Sequence, residues 1–394
     1  MSAGAYDVVI VGAGMVGACA AFALAGKGYR VAIVEAARPG ESDDLSGAHY
    51  DLRVSAISPR SRDILEQLGI WQQLDDQRVC YYEQMVIWHQ HGDSSIAFDA
   101  VDLARDNLGA IVENRQLQHV LRRACERETR IEWFRPDSIE ALLENNAQGV
   151  EMRLGSGRCL TAGLLLAADG RNSPTRNLAG IIARAGQYRQ TAFVANVDTE
   201  YPHRFTAWQR FLSTGPLAFL PLANGQCAVV WSCDDDLASQ LVGFNDDEFC
   251  DALGEAFEFK LGRVKASSRR LSFPLGWHHC EHWLKGSVLL IGDAAHSVHP
   301  LAGQGVNLGF SDVETLARLI GERGESISQK KLRRYERQRK SETWLAGSSF
   351  GALKWIYGLD QKGVTAIRDL GMRVVDETPW FKRAIMEKAI QNIT

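Results

Sequence analysis

Apolar and polar positions fall into two regimes along the chain. Asp7–Val11 (Asp-Val-Val-Ile-Val) is a short β-branched run with no polar alternation, the mark of a strand buried on both faces. Ala18–Ala25 reads as a helix of small residues, and Val31–Val34 as a second buried strand. Leu164–Ala168 and Val288–Ile291 repeat the uninterrupted apolar pattern. Between Thr191 and Pro274 the pattern changes to shorter, alternating strands: Phe193–Val197, Ala207–Leu212, Leu217–Leu222 and Gln226–Ser232. Asn224-Gly225 is a hairpin turn between the last two, and Leu271–Leu275 adds an edge.

The loops after the buried strands carry the chemistry. After Val11 comes Gly12-x-Gly14-x-x-Gly17, then a helix, a strand, and an acid, Glu35, at that strand's end. This is the dinucleotide fingerprint in its strand–turn–helix context. The first glycine allows the turn, the second lets backbone approach a pyrophosphate, and the third lets helix pack on strand. The helix start offers free N–H groups to the phosphate, and Glu35 accepts from ribose hydroxyls. Leu164–Ala168 runs into Asp169-Gly170-x-x-Ser173-x-x-Arg176, and Val288–Ile291 into Gly292-Asp293-Ala294-Ala295-His296. A glycine-rich segment, Gly303-Gln304-Gly305-Val306-Asn307, then opens another helix. Loops from one parallel sheet converge at the C-terminal edge of its strands, where ligands bind. N–H groups at a glycine-rich helix start suit the electron-rich end of a flavin ring.

Composition narrows the class without naming the chemistry. The 394 residues are 45% apolar and 23% charged, with a formal charge of −4, an ordinary globular balance that argues against a nucleic-acid protein without excluding a local basic patch. The length points to two domains, or to one large domain with an insertion. Eight cysteines without a C-x-x-C pair read as free thiols in a reducing cytosol, and no leader or bilayer-spanning apolar run is visible. The expected location is therefore cytoplasmic, with peripheral membrane contact left open. No metal is expected: His278-His279-Cys280-Glu281-His282 has no supporting cluster and reads as a surface loop.

The GxGxxG, DGxxSxxR and GDAAH…P elements, in this order, resemble the single-component flavin aromatic monooxygenases over essentially the whole chain. His299–Asp312, Asp51–Ile57 and Val112–Arg115 are similar to the ubiquinone-biosynthesis hydroxylases, the UbiH, UbiF and UbiI group. Tyr335–Lys340 and Leu217–Leu222 resemble its UbiI, or polyprenylphenol, branch most. The resemblance implies an α/β fold: a discontinuous Rossmann-like FAD domain (1–75, 103–180 and 285–325), an inserted mixed or antiparallel β-sheet substrate domain (76–102 and 181–284), and C-terminal helices (326–394). It implies one bound FAD, transient NAD(P)H as reductant, and O2-dependent hydroxylation of a polyprenylphenol.

Carried onto this chain, the resemblance assigns Gly12, Gly14, Gly17, Glu35, Arg53, Arg115, Asp169, Arg176, Asp293, Gly305, Val306 and Asn307 to the cofactor. Arg171 joins Arg176 as a candidate for the nicotinamide approach. His299, Pro300, Gly303, Gln304 and Gly305 are placed beside the reacting ring, with His296 or His299 as a proton relay. The inserted sheet is expected to roof the ring, with Phe219, Leu220, Pro221 and Trp231 against the substrate. The expected partners are a hydrophobic prenylated phenol, O2, a ubiquinone-biosynthesis protein complex and further copies of this chain as a homo-oligomer. Lys330–Lys340, with seven basic residues in eleven, reads as a helix with a solvated charged face. The aromatics beyond it (Trp344, Phe350, Trp355, Tyr357, Trp380, Phe381) suit helices over the substrate entrance.

Overall fold

The computed structural model describes residues 4–38, 49–90, 94–297, 305–358, 378 and 382–383, with side chains of its last helix described as far as 344. His299, Pro300, Gly303, Gln304, Trp380 and Phe381 lie outside the described residues, as do the side chains of Phe350, Trp355 and Tyr357.

The chain opens with β1 (Gly4–Val11), α1 (Met15–Gly26), β2 (Val31–Val34), β3 (Val54–Ile57) and α2 (Pro59–Gln67). Then come β4 (Cys80–Tyr82), β5 (Gln84–His89), β6 (Ser95–Asp99), β7 (Gly109–Glu113) and α3 (Asn114–Arg127). Next is a hairpin region: β8 (Ile131–Phe134), β9 (Ile139–Asn145), β10 (Val150–Leu154), β11 (Cys159–Ala167) and α4 (Pro174–Leu178). The middle holds β12 (Ala183–Thr199), β13 (Thr206–Leu212), β14 (Gly215–Pro221), β15 (Cys227–Asp234), α5 (Asp235–Gly243), α6 (Asp246–Ala256), β16 (Val264–Ser267) and β17 (Leu271–Cys280). Last are β18 (Leu284–Lys285), β19 (Val288–Leu290), β20 (His296–Ser297), α7 (Gly305–Ile320) and α8 (Gln329–Gly358).

The uninterrupted apolar runs lie side by side. β19, β11, β1, β2 and β8 form a parallel core, and the β9–β10 hairpin and β18 add antiparallel edges to make eight strands. Val8, Val9, Ile10, Leu164, Leu165 and Leu289 are fully buried in one core with residues of α1, α3, α7 and the β9–β10 hairpin, which is why no polar residue alternates with them. Burying each such side chain contributes roughly 1.5–3 kcal/mol relative to leaving it exposed.

The second sheet has nine strands in the order β20-β17-β12-β15-β14-β13-β5-β6, with β16 on β12. It is antiparallel except where β13 runs parallel to β5. One face packs on α5 and α6 through Phe193, Leu217, Phe219, Val229 and Trp231. The opposite face, with Ala218, Leu220 and Ala228, meets Ala56 and Ile111 of a three-stranded sheet, β3-β7-β4. Asn196 anchors that contact, donating to the Tyr50 carbonyl at 3.1 Å.

Two elements outgrow their sequence patterns. β12 spans 17 residues where the alternation predicts only Phe193–Val197, because its polar first half pairs with β17. β17 runs on to Cys280, so His278-His279-Cys280 is not the surface loop the sequence suggests. His278 and Cys280 are buried there, with His279 half-buried between them. A strand supported on both sides overrode the polar composition.

Candidate cofactor site

Four strand ends of the parallel core deliver their loops to one edge: Gly12 after β1, Glu35 after β2, Asp169 after β11 and Gly292 after β19. The glycines differ in what demands them. Gly12 has φ +94°, and a Cβ there would meet the Ala168 carbonyl oxygen at 2.6 Å. A Cβ on Gly17 would lie 2.0 Å from the Gly12 carbonyl oxygen. These two are held by protein packing. Gly14, the first residue before α1, has nothing within 4 Å of its Cβ position. Its helix starts with no capping side chain and no acid in the first turn. Among the described residues, protein answers neither the N–H groups nor the positive end of α1, as an anionic pyrophosphate would require.

Glu35 is held ready beside this turn. Its carboxylate accepts from the Ala13 N–H at 2.5 Å and from the Ala37 N–H at 2.9 Å. Sequence reasoning missed the brace behind it. Arg122 on α3 donates to the Ala13 carbonyl at 2.9 Å and lies 3.9 Å from Glu35, while Gln118 donates to the same carbonyl at 3.3 Å. A signal for it exists: Arg115, Gln118 and Arg122 recur at helical spacing after Val112–Arg115.

Several expected cofactor residues build the loops with their side chains. Asp169 accepts from the Ser173 hydroxyl and from the Thr175 N–H at 3.0 Å, which orders the start of α4. Arg176 is buried and donates to the Arg171 and Ala294 carbonyls, each at 3.0 Å, so it joins two loops. Asn307 donates to the Ala56 carbonyl at 2.7 Å and accepts from the Ser58 N–H at 3.0 Å. Its amide is thereby engaged with β3 and the start of α2. Val306 turns partly into the core, and Gly305 opens α7 with clear space at its Cβ position.

Asp293, Arg53 and Arg171 remain as side chains open to a ligand. Asp293 retains exposed surface, yet enough protein surrounds it that burial raises its carboxyl pKa, against the pull of His296, Arg53 and Arg171. A carboxyl both exposed and crowded lies in a concave recess. Arg53 is exposed. Arg171 crosses Gly276 so closely that a Cβ on that glycine would lie 2.1 Å from its guanidinium. Arg115 leans on Asp51 at 4.0 Å, and its N–H donates to the same carboxylate at 3.3 Å. His296 is unsuited to relaying protons through Nε2, which is engaged with Asp312 at 2.9 Å. The open glycine cradle, the uncapped helix start, the poised Glu35 and the Asp293 recess together fit an FAD.

Three expected substrate residues point the wrong way. Phe219 is fully buried on the helix-covered face, stacked on Phe257 at 3.9 Å. Trp231 packs there against Phe249. Pro221 shares their side, since it pairs with Cys227 of the same cluster. Strand alternation decided this, and the sequence could not tell which parity faced inward. Leu220 alone of the four faces β3. By register its face continues through Ala218, Val230, Val194 and Ala192 to Leu271 and Phe273 on β17.

Elsewhere, the basic run forms the first part of α8. Lys340 pairs with Glu336 at 3.2 Å and Lys331 with Glu325 at 2.8 Å, while Arg333, Arg334 and Arg337 are exposed. Among the described residues no group of three His, Cys, Asp or Glu side chains stands together for a metal, and no helix is long and apolar enough to cross a membrane.

The comparisons agree with this geometry. The family model described as FAD binding domain matches residues 5–347. The chain belongs to the FAD-binding monooxygenase family. Within it, the chain is 32% identical to the 3-demethoxyubiquinol 3-hydroxylase of Escherichia coli, over 98% of each chain. It is 33% identical to the human mitochondrial ubiquinone biosynthesis monooxygenase COQ6, over 97% of this chain and 92% of that one. The ubiquinone hydroxylase UbiL of Rhodospirillum rubrum is 32% identical over 98% and 89%. Family membership thus reaches the ubiquinone-biosynthesis hydroxylases, and the named relatives do not single out the UbiI branch. Among solved structures, p-nitrophenol 4-monooxygenase from Pseudomonas putida superposes with a TM-score of 0.79 at 20% identity, over 99% of this chain and 98% of that one. That likeness shows the shared monooxygenase fold.

Proposed function

We propose that this flavin monooxygenase takes electrons from NAD(P)H and hydroxylates a prenylated phenol, an intermediate of ubiquinone biosynthesis. The observation that carries the substrate class is the apolar face of the nine-stranded sheet. It is turned toward β3 and reaches the exposed side chains of Leu271 and Phe273. A small phenol needs only an enclosed pocket, whereas an attached isoprenoid tail needs an apolar way out. The names of the relatives support the same reading.

When bound, FAD supplies the redox and oxygen-activating chemistry. The chain's own residues bind and shield. Backbone at Gly14 and the α1 start receives the pyrophosphate, Glu35 the ribose, and Asp293 a hydroxylated part of the cofactor. Arg53, beside Asp293, offers a cation for the phosphates, and Arg171 one for the visiting nicotinamide cofactor. Leu220, Val194 and Val230 exclude water and press the phenol ring toward the cofactor edge.

The test uses purified protein carrying FAD, a short-tailed prenylphenol and NADH or NADPH. Phenol-stimulated oxidation coupled to O2 uptake and a hydroxylated product is expected. Turnover that proceeds equally without O2 would assign a reductase instead, and indifference to every phenol would end the substrate proposal.

A further inference from the structure

Behind the Gly292–His296 loop lies a charged group that the cofactor reading does not use. Asp312 on α7 is fully buried. One of its oxygens accepts from the Gly292 N–H at 2.8 Å and faces His296 Nε2 at 2.9 Å. The other accepts from Arg339 Nε at 2.6 Å. Arg339 reaches in from α8, is 1% exposed, and also donates to the Leu308 carbonyl at 3.1 Å and to Glu342. Burial works to raise the Asp312 pKa, but Arg339 and His296 outweigh it and hold the carboxyl below its usual range. α8 braces the loop a second time. Glu336 accepts from the Trp283 N–H at 2.7 Å, and the Trp283 ring stacks on His296 at 4.9 Å.

A buried ion pair is a poor source of net stability, because desolvation consumes most of what the attraction returns. What it does supply is direction. Gly292, His296 and Arg339 each meet Asp312 at one angle and distance, and the first two belong to the loop that carries Asp293.

We propose that Arg339 is a positioning residue for cofactor binding. Through Asp312 it holds the Gly292 N–H and the His296 ring, and so sets the Asp293 carboxylate at the angle the FAD requires. α8 thereby becomes part of the cofactor site without touching the cofactor. This rests on the reading of Asp293 as a cofactor contact, so Asp293→Ala is measured in parallel.

The experiment is titration of FAD into apoprotein, read by flavin fluorescence, for wild type, Arg339→Met, Arg339→Lys, Asp312→Asn and the Arg339→Met/Asp312→Asn double variant. Arg339→Met is expected to weaken FAD about tenfold with its circular dichroism unchanged, and Arg339→Lys to recover most of that loss. The double variant is expected to be no weaker than the worse single one, since both break one chain of contacts. Hydrogen exchange in 292–296 is expected to rise in Arg339→Met while β1 and β11 stay protected. Wild-type FAD affinity in Arg339→Met, even with a lower melting temperature, would overturn the proposal, as would additive losses. If Arg339→Met alone does not fold, the Arg339→Met/Asp312→Asn double variant decides: wild-type affinity together with unchanged exchange in 292–296 overturns it. Wild-type affinity in Asp293→Ala would instead remove the cofactor-loop reading beneath it.

Discussion

Gly17 sits so close to Gly12 that a Cβ on the former would lie 2.0 Å from the latter's carbonyl oxygen. Gly14, between them, has open space where its Cβ would go. One motif therefore contains a glycine the fold requires and a glycine that no neighbouring protein atom requires. Gly17→Ala is expected to lower apoprotein stability by about 1–3 kcal/mol, because backbone must shift. Gly14→Ala is expected to leave apoprotein stability within about 0.5 kcal/mol, yet to weaken FAD binding clearly. Urea denaturation and FAD titration of both variants check this. Gly14→Ala with undiminished FAD affinity would show that the open space is not a phosphate cradle.

Phe219 supports the sheet from its helix side, fully buried against Phe257. Phe219→Ala is expected to cost about 3–5 kcal/mol, the usual loss for a fully buried ring. Below its melting temperature the variant should keep the KM for a phenol substrate. A raised KM with intact stability would return Phe219 to the pocket.

Leu271 and Phe273 mark where the apolar face meets solvent. Phe273→Asp should raise the KM for a long-tailed prenylphenol and leave that for a tail-less phenol unchanged. Equal effects on both substrates would locate the tail elsewhere.

His278 links the site to pH. It is buried on β17, where the Asp293 backbone is the polar group that favours its charged form. Burial, reinforced by Arg176 and Arg171, pushes its pKa down from 6.5 to about 4. The folded state therefore binds fewer protons than the unfolded state between these values. Stability is fully present above pH 6.5 and is lost as pH falls through 4, by up to about 3 kcal/mol. His278→Phe should flatten this acid limb in denaturant titrations across the window. An unchanged limb would assign the loss to other groups.

The parallel core and its loops were legible because their patterns are local. An unbroken apolar run means a strand buried on both faces, and the spacing of Gly12, Gly14 and Gly17 states what each backbone position must tolerate. Motif position alone put Glu35 just past β2, Arg53 just before β3 and Asp293 in the loop after β19, and the structure has them there. Phe219, Pro221 and Trp231 could not be placed that way. Each lies in a strand with apolar residues at both parities, so hydrophobicity does not say which face meets the helices. Asn307, Asp169 and Arg176 were found in the right loops, but their side chains are engaged by backbone partners such as Ala56 and Ala294 that no local pattern names.

By itself, then, the sequence determined the strand ends, the turn glycines and the acids beyond them, because strand period and turn sterics act within a few residues. Tertiary structure decided everything that depends on which surface meets which. It chose the inward parity of β14 and β15, and it extended β17 through a histidine-rich stretch. It also brought Arg339 across 27 positions to Asp312. Those outcomes depend on contacts between distant segments, and a buried charge finds its partner only once the segments between them have packed.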